Sequence, residues 1–199
     1  MNRASRLLAA AGVALAGIAA PAAFAPAAAQ AIPNTDPGKF VDAIADRGFG
    51  ALKGNRQAAR GQFRALLAQH FAVDAIGDRL IQQWRPKISQ AQYAAYKAAF
   101  PNFIIGTYAD RLYDYSGADL KVVRVQNQGN GAAVLSTVTR PGARPVNVIW
   151  SLTKVGNAYK VNNLTVGGVN LAMSQAADFN SYAQRNGFDA LVEFMKKRG

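Results

Sequence analysis

Three aspartate pairs, Asp42 and Asp46, Asp74 and Asp78, and Asp110 and Asp114, stand four residues apart. On a helix that spacing puts both carboxylates on one face, and acid–base chemistry needs two such groups held close with their pKa values pushed apart. Each pair also has a basic neighbour in sequence or one turn away, so solvated ion pairing is the simpler reading of all three. His70 is the single histidine and there is no cysteine, which rules out a histidine cluster for a metal and a thiolate nucleophile. A lone histidine at a helix end reads as a capping or surface group. Gly48-x-Gly50 and Gly167-Gly168 lack the strand-to-helix setting of a phosphate loop, and Asn163-Leu164-Thr165 matches a glycosylation sequon that is frequent by chance. No catalytic residue, metal ligand or cofactor is expected.

What remains is binding through apolar surface. Phe100, Ile104, Tyr108, Leu112 and Tyr115 recur at spacings of three and four, one aromatic and aliphatic stripe along a helix. Val146, Val148, Trp150 and Leu152 alternate with mostly polar residues, as a strand with one buried face does. Ile149 interrupts the polar face, which suggests partial cover there. The space between stripe and strand is either filled core or a cavity for an apolar ligand. For each residue alone the core reading is the simpler one. Together, Phe103, Ile104, Tyr108 and Leu112 with Val148, Trp150 and Leu152 are the candidate cavity wall, Val169 and Leu171 close its end, and Arg111 stands beside the stripe as a cation for the mouth. Arg111 is equally placed to pair with Asp110 or Asp114.

The elements that must position these residues follow from local signals. Asp36-Pro37 starts a first helix to about residue 52. Asn55 caps a second, with Phe63, Leu66 and Leu67 facing inward. Its Arg56, Arg60 and Arg64 line up on the other face, read as solvated or as a contact with an anionic surface. A third helix is expected from Phe71 to Trp84 and ends at Arg85-Pro86. Ser89 and Gln92 form a capping box for a fourth, in which Pro101 must kink the run or start a new helix and Gly106 softens it further. Strands are expected over Leu120–Gln126, Ala132–Arg140, Pro145–Lys154 and Ala158–Val166, separated by Gly129-Asn130-Gly131, Pro141-Gly142 and Gly156-Asn157. Val166-Gly167-Gly168-Val169 ends the sheet, and two closing helices run from about Ser174 to Arg185 and from Phe188 to Lys197. The fold class is α+β: a helical layer packed on a curved four-stranded antiparallel sheet enclosing an apolar cavity.

Residues 1–31 read as a cleaved secretory signal: a basic start with Arg3 and Arg6, an uncharged run from Leu7 to Ala20, and small residues that fit the A-x-A rule near Ala29. Residues 32–199 then form a single domain. Removal of Arg3 and Arg6 with the signal takes the net charge from +12 to +10. In an exported protein that balance favours anionic lipid head groups or an acidic envelope partner over nucleic acid. Without cysteine, the core alone must hold the fold in an oxidising compartment.

Several pieces resemble the MlaC family, also called toluene-tolerance auxiliary proteins. They are Phe71-x-Val-Asp74-Ala-Ile76-Gly77, Trp84-Arg85, Tyr108-Ala-x-Arg111-Leu112-x-x-Tyr115-Ser-Gly117, Val148-x-Trp150-x-Leu152, Tyr159-Lys160-Val161 and Val166-x-Gly168-Val169-x-Leu171, followed by Phe179, Gly187 and Leu191. The resemblance spans about Pro37 to Lys197. It implies a periplasmic lipid-binding carrier that shuttles phospholipid between an inner-membrane ABC permease complex and an outer-membrane lipoprotein complex. The family's usual Asp-x-x-x-x-Glu-Gly-x-Ser pattern after the last strand is here matched by Asn163, Gly167 and Asn170, and Ile81 stands where a glycine commonly precedes the Trp. A hopanoid-associated branch makes a polycyclic lipid an alternative ligand. Two further classes stand beside the carrier: a small exported enzyme using Asp114 or Tyr108 as acid or base, and a basic interaction protein of the envelope.

Overall fold

The computed structural model describes residues 31–199; the side chains of residues 109–112 and 114 lie outside the described set, and so does the expected signal segment up to residue 30. Helices come first. α1 (Pro37–Ala51) starts where Asp36 Oδ1 accepts the Lys39 N–H at 2.8 Å, and α2 (Arg56–His70) where Asn55 Oδ1 accepts the Ala58 N–H at 2.8 Å. Each side chain satisfies one amide that the first helical turn leaves unpaired. α3 is shorter than its pattern suggested, Val73–Leu80. Its last residues give way to turns from Ile81 and a 3-10 turn at Arg85–Lys87 that contains Pro86.

α4 (Gln90–Leu112) opens on the expected capping box: Gln92 N–H donates to Ser89 Oγ at 3.2 Å and Ser89 N–H donates to Gln92 Oε1 at 2.9 Å. It then runs as one helix through Pro101, so of the two alternatives the sequence offered, a kink or a new helix, the new helix does not occur. Buried Tyr96, Phe100, Phe103 and Ile105 anchor it on both sides of the proline, and such tertiary packing overrides local propensity. A 3-10 turn at Tyr113–Tyr115 leads into the sheet.

The sheet has five antiparallel strands in the order β1-β2-β3-β4-β5: Asp119–Gln128, Gly131–Thr139, Val146–Val155, Ala158–Val166 and Val169–Asn170. The four-strand expectation is therefore corrected by one. Gly167 (φ +57°) and Gly168 (φ +87°) adopt left-handed conformations that glycine tolerates without strain. The chain thus reverses in two residues, and Val169 and Asn170 pair with Val166 and Thr165. Two helices close the chain, α5 (Leu171–Asn186) and α6 (Phe188–Arg198).

Apolar burial falls into two separate clusters. One lies between α1, α2 and the inner face of the sheet, with Phe40, Ile44, Leu66, Val134, Val148 and Val161 among its members. The other lies within the helical layer of α3 to α6, around Leu80, Tyr96, Phe100, Phe179, Leu191 and Met195. Tyr96 stacks on Phe100 at 5.6 Å and Phe103 meets Phe179 at 5.3 Å. No helix among the described residues is long and apolar enough to cross a membrane.

Candidate functional site

A cleft of about 850 Å³ lies where the two clusters face each other. The sheet side contributes Val138, Val146, Val148, Trp150, Leu164 and Val166; α1 and α2 contribute Ile44, Phe49, Phe63 and Leu67; the helical layer contributes Ile76, Phe100, Ile104, Tyr108 and Leu171. The alternation of β3 explains the sheet side, since Val146, Val148 and Trp150 share one face. The helix side follows from the stripe on α4, whose Phe100, Ile104 and Tyr108 stand four residues apart.

Polar contacts hold two of the lining side chains in place. Trp150 Nε1–H donates to Ser136 Oγ at 3.0 Å, and Ser136, fully buried on β2, donates to the Val148 carbonyl at 3.3 Å. Across the cleft, Tyr108 OH donates to Gln175 Oε1 at 3.1 Å, tying α4 to α5. Asn170 Oδ1 accepts the Met173 N–H at 3.0 Å, and Asn163 Oδ1 accepts the Ala172 N–H at 3.2 Å. The two asparagines that depart from the family pattern thus cap the first turn of α5 beside Leu171.

Three charged residues line the cleft: Arg64, Asp74 and Lys160. Arg64 donates to Asn102 Oδ1, bridging α2 to α4. Asp74 is paired with Lys97 at 2.5 Å, and Asp78 accepts from both Lys97 and the Tyr93 hydroxyl. Burial alone would pull the Lys97 pKa down, but the hydrogen bond to Asp74 and the two carboxylate charges raise it. His70, at the end of α2, lies edge-on to Phe40 with ring centroids 6.0 Å apart. Burial, then Arg47, then Lys160 lower its pKa from the ordinary value. Among the described residues no group of histidine, cysteine or carboxylate side chains could hold a metal ion.

The candidate wall residues divide by place. Ile104, Tyr108, Val148, Trp150 and Leu171 line the cleft. Phe103 and Leu152 are buried in the helical and sheet clusters, and Val169 is 54 % exposed at the sheet edge. The side chains of Leu112 and Arg111 lie outside the described set. Sequence reasoning missed the α1–α2 side of the lining and the fixing partners Ser136 and Gln175. The inward apolar face of α2, with Phe63 and Leu67, is the signal that could have found the first. The long-range pairings of Ser136 and Gln175 leave none.

Fold and cleft together define a class: α+β domains in which a helical layer and an open antiparallel sheet leave a ligand-sized cleft between separate apolar cores. A family model described as MlaC protein matches residues 40–197. The chain belongs to the MlaC family, as its motifs from Phe71 to Leu191 suggested. A solved phospholipid-binding protein from Ralstonia solanacearum, in complex with a phospholipid, shares the fold with a TM-score of 0.68. The two chains are 20 % identical, over 82 % of this chain and 96 % of that one.

Proposed function

We propose that this protein is a non-catalytic periplasmic lipid carrier that holds phospholipid in the cleft and moves it between membrane complexes. The observation that carries this reading is the cleft of about 850 Å³ between two apolar clusters, lined mostly by apolar side chains. Such a lining favours methylene over water.

Transfer energies describe the cargo. A two-chain lipid with roughly thirty methylenes faces a penalty on the order of 20 kcal/mol when its chains enter water, at about 0.8 kcal/mol per methylene. A carrier removes that barrier by offering an equivalent apolar surface. Family membership and the phospholipid seen in the Ralstonia solanacearum relative support phospholipid as the cargo. The partners in this reading are an inner-membrane ABC permease complex and an outer-membrane lipoprotein complex, with residues 1–31 acting as the export signal.

Ile104→Asp and Tyr108→Asp each place a carboxylate in the cleft. Folded variants, checked by circular dichroism, should lose the lipid that co-purifies with the unaltered protein and fail to move labelled phospholipid between vesicles. Undiminished lipid retention by both would put the ligand elsewhere and overturn the reading.

A further inference from the structure

Gln175 is one of two buried polar side chains among the described residues, 9 % exposed; the other is Ser136. Ser136 donates to the Val148 carbonyl and accepts from the Trp150 indole, which satisfies it. Gln175 is satisfied at one end only. Its Oε1 accepts from the Tyr108 hydroxyl at 3.1 Å, and among the described residues its Nε2 donates to no acceptor. That nitrogen is not sealed in the interior either, as the orphaned His70 Nε2, Thr107 Oγ1 and Tyr113 OH are. Gln175 and Tyr108 both line the cleft, so the open amide is presented to ligand space. Ile104, one turn before Tyr108 on α4, and Leu171, one turn before Gln175 on α5, line it beside them. The three charged lining residues stand on other elements: Arg64 on α2, Asp74 on α3 and Lys160 on β4. The pair is thus an uncharged hydrogen-bonding group on an apolar wall.

We propose that Gln175 is a specificity-determining residue of the cleft: its amide donates to the ester carbonyl of a bound acyl chain and so separates ester-linked from ether-linked lipids. This inference rests on the reading of the cleft as a lipid site and goes beyond it, since both kinds of lipid can carry the same head group. A buried amide donor without a partner is a cost to the fold, and the ligand supplies the acceptor. A phosphate or carboxylate oxygen would bring a charge to this wall, where no charged residue of α4 or α5 lines the cleft among the described residues. Burying an unpaired charge costs far more than burying a neutral dipole. An ester carbonyl is a neutral acceptor, bonded directly to the methylenes that Ile104 and Leu171 favour. An ether linkage has no carbonyl to offer. Tyr108 is a positioning residue here: its hydroxyl holds Oε1, which turns Nε2 to the ligand.

The purified protein is titrated with a diacyl phosphatidylglycerol and with its dialkyl ether counterpart of the same chain length, alongside Gln175→Glu, Gln175→Leu and Tyr108→Phe, each checked for folding by circular dichroism. A neutral hydrogen bond changes affinity by about three- to tenfold, and the unaltered protein should favour the diacyl lipid by that factor. Gln175→Glu still accepts from Tyr108 but has no N–H to give, and Gln175→Leu has neither group. Both should bring the ratio towards one. Because Gln175→Glu keeps the tie between α4 and α5, its loss of preference separates the donor from a merely structural role. Tyr108→Phe should weaken the preference without abolishing it. Infrared spectra of diacyl lipid isotope-labelled at the ester carbonyls should show a lower carbonyl frequency in the unaltered protein than in either Gln175 variant. Equal affinity for the two lipids, or a preference and a carbonyl frequency that neither Gln175 variant changes, overturns the site and assigns the amide to water, while the lipid reading stands. Binding of neither lipid removes the lipid reading and the site with it.

Discussion

Trp150 sits with its indole N–H on Ser136 Oγ, and Ser136, fully buried, donates its own hydroxyl proton to the Val148 carbonyl. The chain of bonds fixes the large side chain of the sheet wall in one orientation. Ser136→Ala leaves the indole nitrogen without its partner, and should destabilise the protein by about 1–3 kcal/mol, the usual cost of a buried unsatisfied donor; urea unfolding measures it. His70 gives a residue-level prediction of a different kind. Its folded-state pKa lies below the ordinary 6.5, through burial first and then the Arg47 and Lys160 charges. In that window the unfolded chain binds more protons than the folded one, so stability rises with pH. The contribution is fully present above about pH 6.5 and is lost as pH falls from there through the lowered folded value. Unfolding of the lipid-free protein followed from about pH 7.5 to 5 should show that loss, and His70→Phe should flatten it.

At the scale of elements, α4 supplies the helical wall of the cleft. Gly106, a softening residue by sequence, has a packing reason: a Cβ there would run into the Arg198 carbonyl at the end of α6 and crowd Gly199. Gly106→Ala should therefore destabilise by about 1–3 kcal/mol, the range for overpacking. A chain ending at Lys197 should carry much less of that penalty, which a double-mutant cycle in urea would show. The caps at Asp36, Asn55 and Ser89, and the helix stripe of Phe100, Ile104 and Tyr108, were legible because capping and 3.6-residue periodicity are local. The β5 strand was not, since two residues carry no alternation and the turn at Gly167-Gly168 reads equally well as an end. The α1–α2 side of the cleft was legible only as an apolar face. Which cluster that face meets is decided by contacts far apart in sequence, such as Phe71 with Val161. The same holds for Phe103 and Leu152, whose apolar character fits a cavity wall and a core equally.

For the whole molecule, the fact to explain is that a domain of this size divides its apolar residues into two cores instead of joining them. A single packed core would remove more apolar area from water. The proposed function supplies a reason for the division: in a lipid carrier the bound lipid completes the interior. Bound lipid should accordingly raise the unfolding midpoint, because a ligand that binds the folded state alone stabilises by mass action, and exhaustive delipidation should lower it. The most direct measurement is native mass spectrometry of the purified protein with extraction of whatever it carries. A carrier should show adducts with the masses of phospholipids, released on organic extraction and absent from Tyr108→Asp. A protein that emerges at its bare polypeptide mass, and that neither takes phospholipid from vesicles nor is stabilised by it, would not be a lipid carrier.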